Sequence, residues 1–406
     1  MKKYIIIASA LVMALAACTK VDALKVKPTS GVRENGISDY YAQYSDYIIG
    51  TGTVNTVGDD EYYEELRQWK EDAWDERGLP TRSLSYIFFG DYGSLAYRFA
   101  DIPDSIDVIN LWGGAPKLGS LDYMEMRACQ EVKGMKLVGC RITRIAENDG
   151  KWALEAEVPS YMEAYEKYKE DHEDDEGITD QELEDGAKKA GNAALKSDMA
   201  AHHTKINGEY PDWVVYAADL LLNEVDELGL DGFDLDLEPE GDPIGTYFDI
   251  FLEYMSESLG PKSGNDGTLL IIDKNAGYSA GSSYYDKCNL WVYQKYGSLD
   301  GASPASQGDF PSNLNPDSGW VPCQIITTEN VGDTYSQACN NLEQMARFQP
   351  NTLGKQYGHK GGFASFYGHR DWRLEAEGAE KGKKIRYQHH RYGINYQAEQ
   401  NYYSGN

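Results

Sequence analysis

The sequence is poor in positive charge. Its 406 residues include 38 lysines and arginines against 66 aspartates and glutamates, which gives a formal net charge of −28. A chain this acidic repels phosphate backbones and anionic lipid headgroups, so a nucleic-acid partner is not expected. The basic run Lys381-Gly382-Lys383-Lys384 is better interpreted as the solvated face of a helix.

Cysteine is scarce as well. Five of the six cysteines follow residue 18, and none of them forms a Cys-x-x-Cys pair or has a histidine at zinc-finger spacing. They are therefore predicted to be buried apolar thiols, and neither a metal ion nor another cofactor is expected. The histidine pairs at 202–203 and 389–390 also lack ligand spacing and are interpreted as surface positions.

Long apolar runs are missing except at the N-terminus. The run from Tyr4 to Ala17 is too short to span a bilayer comfortably, follows two lysines and ends in small residues at Cys18, as an export signal does. No later run reaches the about 20 apolar residues that a membrane helix needs. Any membrane contact of residues 19–406 would therefore be made through an anchor at Cys18.

The last four residues of this signal resemble the lipobox of bacterial lipoproteins. They read Leu-Ala-Ala-Cys, and the resemblance implies that Cys18 carries lipid and begins the mature chain. Thr19 in place of aspartate then favours sorting to the outer membrane, with inner-leaflet and cell-surface display both open. An ordinary secretory peptide cut nearby is the alternative.

Beyond the signal (residues 1–18), the chain divides into a tether and one domain. Residues 19–57 are rich in Gly, Ser, Thr and Asn without a sustained period, whereas 58–406 alternate between helical and strand patterns. Helical patterns lie at 60–74, 212–228, 248–259 and 335–348. Eight runs are predicted to be buried strands: 84–90, 106–112, 135–142, 230–237, 268–273, 290–293, 324–328 and 362–367.

Eight apolar strands with helices between them favour a parallel (β/α)8 TIM barrel, with an open doubly wound sheet as the alternative. In a barrel the C-terminal strand ends and the following loops form the active face. An acidic, alanine-rich segment at about 160–205 interrupts the alternation after the third strand. It is predicted to be a helical insertion that either walls a substrate cleft or is simply solvated.

The fourth strand carries the most informative motif, Asp-Gly-Phe-Asp-Leu-Asp-Leu-Glu at 231–238. Side chains alternate along a strand, so Asp234, Asp236 and Glu238 share a face, and Glu238 lies nearest the C-terminal mouth. Burying three acids together is costly unless they have a function. A calcium loop counted from Asp234 would need glycine at its sixth position, where Pro239 stands.

This motif resembles the Asp-Gly-x-Asp-x-Asp-x-Glu signature of glycoside hydrolase family 18 at every fixed position. The family has a (β/α)8 fold and a retaining mechanism in which the substrate's own 2-acetamido oxygen is the nucleophile. By resemblance, Glu238 is the general acid and then base, Asp236 orients the acetamido N–H, and Asp234 supports Asp236. Two acids on one strand lie on the same side of the sugar, so neither can attack from behind.

A second motif, Trp-Val-Tyr-Gln-Lys-Tyr-Gly at 291–297, begins on the sixth strand. Gln294 and Tyr296 share one face and both can reach into the barrel mouth. Family chitinases usually have Met-x-Tyr here, whereas endo-β-N-acetylglucosaminidases that cut N-linked glycans often have Gln-x-Tyr. The resemblance implies that Tyr296 hydrogen-bonds the acetamido carbonyl, with Gln294 beside it.

Aromatic residues at strand ends are candidate sugar-stacking residues, although core packing explains them equally well. Trp112 closes the second strand and Tyr92 follows the first. At the eighth strand, where many chitinases place a tryptophan as the floor of the cleavage subsite, this sequence has Phe366 and Tyr367. That departure argues mildly against a chitinase.

Taken together, the resemblance is to surface lipoprotein endo-β-N-acetylglucosaminidases of Bacteroidetes type. It implies a glycan partner, either an N-linked glycan or another GlcNAc-containing oligosaccharide, and cleavage of the GlcNAc-β-1,4-GlcNAc core. Two alternatives remain: a chitinase of the same family, and a catalytically idle glycan-binding lipoprotein. Lectin-like members typically lose the terminal acid of the motif, which Glu238 retains here.

Overall fold

A computed structural model describes the domain and not the segments before it. The described residues are 60–90, 98–99, 102–146, 151–238, 246–275, 284, 286–294, 323–328, 342, 345–346, 361–373 and 387–403. The predicted signal and tether, and all but three residues of the helix predicted at 335–348, lie outside them.

Eight parallel strands close into one barrel. Each strand pairs with the next along the chain, and the last pairs with the first, with Tyr86 opposite Ala364. The predicted barrel is thereby confirmed and the open sheet excluded. The strands are β1 Leu84–Phe88, β2 Val108–Leu111, β3 Lys136–Ile142, β4 Gly232–Leu237, β5 Leu269–Asn275, β6 Leu290–Gln294, β7 Cys323–Thr328 and β8 Gly362–Ser365.

Alternation along the strands separates two apolar layers. Side chains such as Ile87, Ile109 and Phe233 point outward and join the core under the helices. Their neighbours in sequence, such as Phe88 and Val108, point inward and pack against one another inside the barrel. Full burial of each aliphatic or aromatic side chain contributes about 1.5–3 kcal/mol, so the fold is stabilised on both faces of the sheet.

Close packing between β3 and β4 explains why position 139 is a glycine. A Cβ atom on Gly139 would lie 2.5 Å from the ring of Phe233, the residue opposite it in the strand register. A side chain there would displace the ring and with it β4. The strand that bears the acidic motif is thus placed against its neighbour by the smallest residue.

Helices cover the outside of the barrel. Helix α6 buries Trp213, Ala217 and Leu221 on one face and ends at Gly229, whose left-handed φ of 63° suits a helix terminus. The described helices are α1 Asp60–Glu71, α2 Leu121–Glu131, α3 Lys151–Glu155, α4 Pro159–His172, α5 Asp180–Ala201, α6 Asp212–Leu228, α7 Phe248–Met255 and α8 Gln388–Tyr403, with a 3-10 helix at Gly368–Arg373. Within these described helices, none is both long and apolar enough to cross a membrane.

The acidic segment after β3 is helical, as predicted. Helices α4 and α5 pack closely, because Gly191 allows the ring of Tyr161 to approach, and Thr179 and Glu182 form a capping box at the start of α5. Tyr161 and Met199 belong to the same core as the barrel's outer face. The segment is therefore part of the barrel domain, and its interpretation as an insertion stays a prediction.

The histidine and cysteine predictions are partly wrong. His202 and His203 are exposed as expected, but His389 is buried and His390 is fully enclosed. His390 is hydrogen-bonded to Ser365 (2.6 Å) and Asp371 (2.7 Å), so it joins α8 to β8 and the 3-10 helix. No periodic pattern predicted this, because the contact spans three separate elements. Of the described cysteines, Cys129 and Cys288 are buried thiols, while Cys140 is partly exposed.

Candidate active site

Strand β4 places its acids in the barrel interior, as the alternation predicted. Asp234 and Asp236 are 0% and 4% exposed, whereas Glu238, one residue beyond the strand, has a side chain that is 20% exposed. Phe233, between the motif's glycine and Asp234, points outward into the helical core. The motif therefore forms a row from the closed interior to the open mouth, and solvent can reach only the carboxyl of Glu238 to any extent.

The innermost acid of this row is held by two other strands. Asp234 Oδ2 accepts a hydrogen bond from Tyr86 Oη at 2.5 Å and from Asn110 Nδ2 at 2.7 Å, and Asn110 also donates to Tyr86 Oη at 2.9 Å. Burial raises the pKa of Asp234 to about 7, although both hydrogen bonds oppose the shift. Asp234 thus titrates near neutral pH within a network that fixes its position.

Asp236 contacts the side chain that the second motif predicted. Gln294 Nε2, on β6, donates to Asp236 Oδ1 at 2.9 Å. Burial raises the pKa of Asp236 well above its ordinary value, and the charges of Glu238 and Asp234 raise it further. The glutamine therefore holds a buried carboxyl whose pKa is raised well above its ordinary value.

A fourth carboxyl belongs to this group and was missed. Asp273, on β5, stands opposite Asp236 in the register and is buried. Burial, and then the charge of Asp236, raise the pKa of Asp273 well above its ordinary value. The predicted strand at 268–273 did contain a signal, because Asp273 is in phase with the inward-facing Ile271, but a single acid at a strand end attracted no functional interpretation.

A cation at the mouth was missed as well. Arg144 lies two residues beyond β3, and its guanidinium donates to the carboxylate of Glu238 and, at 3.3 Å, to the main-chain oxygen of Glu238. No strand period includes Arg144, so the sequence contained no pattern that would place it there. The exposed end of the acidic row is therefore paired with an arginine.

Aromatic side chains form a cluster at the same end of the barrel. The ring of Trp112 contacts Phe366 (centroids 4.8 Å apart) and Tyr367 (5.1 Å), and Phe366 also contacts Phe88 inside the barrel (6.0 Å). Trp112, Phe366 and Tyr367, three of the four predicted aromatics, are partly exposed. They are thus brought together as one surface beyond β2 and β8, which suits stacking against a sugar ring.

Three candidate residues lie outside the described part of the chain: Tyr92, Tyr296 and the lipidation candidate Cys18. Their roles stay predictions.

The first acid of the β4 motif has a structural position, because Asp231 accepts hydrogen bonds from Lys136 Nζ (2.9 Å), Gln130 Nε2 (2.7 Å) and the main-chain N–H of Leu137 (2.9 Å). It fastens the start of β4 to β3 and α2.

Asp234→Asn should alter how stability depends on pH. The pKa of Asp234 is higher in the folded chain, about 7, than the ordinary aspartate value of about 4, so the folded state binds this proton more tightly and loses stability as pH rises from about 4 to 7. Asparagine does not titrate and can still accept both hydrogen bonds. We expect the difference in melting temperature, variant minus wild type, to increase by on the order of 5 °C between pH 4 and pH 7.5. Thermal unfolding of both proteins across this range checks it, and a constant difference would contradict the assignment.

The chain matches a family model over part of its length. Residues 191–365, from α5 to the end of β8, match a family model described as the endo-beta-N-acetylglucosaminidase EndoS TIM-barrel domain. No match was found among curated proteins.

Several solved structures are similar to this chain at low identity. BT1044, in a selenomethionine form with one glutamate-to-glutamine substitution, is 17% identical with a TM-score of 0.52, over 83% of this chain and 92% of that one. An endo-beta-N-acetylglucosaminidase from Cordyceps militaris, a double mutant in complex with fucosyl-N-acetylglucosamine-Asn, is 17% identical (TM-score 0.49, 84% and 97%). A GH18 chitinase from Pseudoalteromonas aurantia is 13% identical (TM-score 0.41, 78% and 100%). At 17% identity, the similarity to BT1044 establishes the barrel alone.

The family-model match and the observed barrel indicate the same fold. The match over residues 191–365 includes the acidic strand β4, both partners in the hydrogen bond between Gln294 and Asp236, and β8, and it ends just before Phe366. Together with the closed eight-stranded barrel, this partial match supports a glycosidase whose barrel is similar to the TIM-barrel domain of the endo-beta-N-acetylglucosaminidase EndoS.

Proposed function

We propose that the protein is an endo-acting hydrolase that cleaves the GlcNAc-β-1,4-GlcNAc core of N-linked glycans, with retention and with the substrate's acetamido group as nucleophile. The observation that carries the proposal is the row of acids on β4, in which a partly exposed Glu238 follows a buried Asp236 that is held by Gln294. This row offers a proton donor at the mouth and a polar group one step inside it.

In the proposed reaction, Glu238 protonates the leaving oxygen while the 2-acetamido oxygen of the same substrate attacks the anomeric carbon. The carboxyl of Asp236 accepts the acetamido N–H and balances the positive charge that develops on the oxazolinium ring. Glu238 then removes a proton from the water that opens this ring. Tyr86 and Asn110 hold Asp234 in place, and Asp234 in turn supports Asp236 from the same face of β4 in this proposal.

The barrel interior supports a substrate-derived nucleophile. A protein nucleophile would have to stand across the sugar from the acid, about 5–5.5 Å from it. The described inward side chains of β1 and β8, which lie on the far side of the barrel from β4, include Tyr86, Phe88 and Ala364 and contribute no carboxyl. Asp273 is on β5, beside β4 and on the same side as Glu238.

Two features support a branched N-linked glycan over a linear polymer. Gln294 occupies the place where family chitinases usually have methionine, and it bonds Asp236 directly. The cluster of Trp112, Phe366 and Tyr367 replaces a single tryptophan floor with several smaller surfaces. The family model matched by the chain is itself that of an endo-beta-N-acetylglucosaminidase domain.

Product analysis tests the proposed substrate. The purified domain is incubated with a high-mannose glycoprotein, a complex-type glycoprotein and a chitin tetramer, and products are identified by mass spectrometry. We expect one GlcNAc to remain on asparagine while the rest is released as a reducing oligosaccharide. Chitin cleavage with untouched glycoproteins would indicate a chitinase, and no cleavage of any substrate would indicate a glycan-binding protein.

We further propose that the protein is a lipoprotein of the outer membrane, displayed at the cell surface and anchored through Cys18. The support is the sequence that ends at Cys18. Metabolic labelling with a radioactive fatty acid should mark the wild-type protein, and Cys18→Ala should abolish the label because it removes the acylated thiol. A Cys18→Ala protein that still labels would contradict this assignment, while Cys129→Ala, which alters a buried thiol, serves as the control.

A further inference from the structure

Arg144 has no part in the proposed reaction, yet it touches the residue on which that reaction depends. The segment after β3 is tied to β4, because the main-chain N–H of Thr143 donates to Asp236 O at 2.8 Å. This brings the guanidinium of Arg144 against the carboxylate of Glu238, with a second hydrogen bond to the main-chain oxygen of Glu238 at 3.3 Å. The arginine therefore contacts both the side chain and the backbone of Glu238.

The two side chains are also sheltered. That of Arg144 is 28% exposed and that of Glu238 is 20% exposed, so solvent screens this ion pair less than a pair on the open surface. A contact that includes the backbone restricts where the carboxylate can be, and an ion pair alone would not do so. The arginine thus fixes the position of Glu238 at the mouth.

The charged groups around Glu238 have opposite effects on a negative charge at its carboxylate. Asp234 and Asp236 on β4 and Asp273 on β5 are buried acids, whereas the facing groups on β6 and β1, Gln294 and Tyr86, are neutral amide and phenol side chains. Buried acids oppose a negative charge on their neighbour, and an adjacent cation favours it. Arg144 is the described cation in direct contact with this group of carboxyls.

We infer that Arg144 is a positioning residue that holds the carboxylate of Glu238 at the mouth of the barrel. The inference rests on the proposed role of Glu238 as the acid.

The pH profile of kcat/KM reports the free enzyme and separates this role from a purely structural one. In Arg144→Gln the descending limb should move to higher pH by about one unit, because the cation that favours the ionised form is gone. Arg144→Lys keeps the charge and should keep the limb near its wild-type position. An Arg144→Gln profile that is scaled down equally at every pH would overturn the inference.

Arg141 offers a matched control. It lies on β3, three residues before Arg144, but its guanidinium pairs with Glu155 (2.6 Å) and Glu224 (3.3 Å), two residues that lie in helices outside the barrel. Arg141→Gln removes the same charge close by in sequence and should leave the limb unmoved. If Arg144→Gln fails to fold, Arg144→Met keeps the aliphatic stem and replaces it in the series.

A second measurement is independent of any substrate. A double-mutant cycle of Arg144→Gln and Glu238→Gln, followed by thermal unfolding, should give a coupling of about 2 °C at pH 7, because the two side chains are in direct contact. Zero coupling at pH 7 would overturn the inference even if the enzyme cleaves N-glycans. A clear coupling in a protein that cleaves no glycan would instead count against the proposed function and leave the positioning contact intact.

Discussion

Glu238→Gln should reduce turnover about 100-fold or more while leaving glycan binding nearly unchanged. Glutamine keeps the shape of the side chain and can still accept from Arg144, but it has no proton to donate to the leaving oxygen. Because Glu238 lies at the open end of the acidic row, the substitution disturbs no buried side chain. Initial rates and isothermal titration with the same glycan separate the two effects.

Glu155→Gln is the matched control for this experiment. Glu155 also pairs with an arginine, Arg141, but at the end of α3 outside the barrel, so its loss should leave turnover unchanged. A Glu238→Gln enzyme that turns over at the wild-type rate would mean that another group donates the proton. Weakened binding with normal turnover would assign Glu238 to substrate recognition instead.

Asp236→Asn should reduce the rate of glycan hydrolysis as much as Glu238→Gln does, on the order of 100-fold, but by blocking a different step. The amide retains the hydrogen bond from Gln294 and so keeps the local structure. It cannot balance the charge that develops as the oxazolinium ring forms. A preformed sugar oxazoline bypasses that step, so the variant should still consume the oxazoline while failing to hydrolyse the glycan.

The double variant Asp236→Asn with Glu238→Gln provides the control. It lacks the base that activates the incoming water or acceptor, so consumption of the oxazoline should fall to the uncatalysed rate. If the Asp236→Asn enzyme hydrolyses glycans normally, the carboxyl of Asp236 does not take part in forming the intermediate. If it uses neither substrate, the residue has a role in both half-reactions.

Local periodicity predicted most of the barrel. Alternation of apolar and acidic residues placed Asp234 and Asp236 inside and Phe233 outside, and the same period placed Gln294 at the mouth. The eighth strand was predicted two residues too long, because Tyr367 adopts a left-handed φ of 52° that a strand cannot continue. Such a backbone reversal leaves little trace in the pattern of side chains.

The rest of the site depends on contacts between distant segments. Arg144 reaches Glu238 across 94 positions of the chain, and Tyr86 reaches Asp234 across 148. Neither contact follows a period of two or 3.6, so no local pattern could predict it. Asp273 shows the intermediate case, since its strand was predicted but its partner on β4 depended on the register. The sequence thus predicts which strand faces bear the polar residues of the site, whereas the closed barrel determines which of these residues are in contact.

One matched pair of substrates tests the central claim most directly. The two glycans are identical except at the sugar whose glycosidic bond is broken, which carries a 2-acetamido group in one and a free 2-amino group in the other. If the acids on β4 work with a substrate-derived nucleophile, the purified domain releases oligosaccharide from the acetamido glycan and leaves the amino glycan intact. Cleavage of both glycans at similar rates would contradict the account, because it would require a nucleophile from the protein.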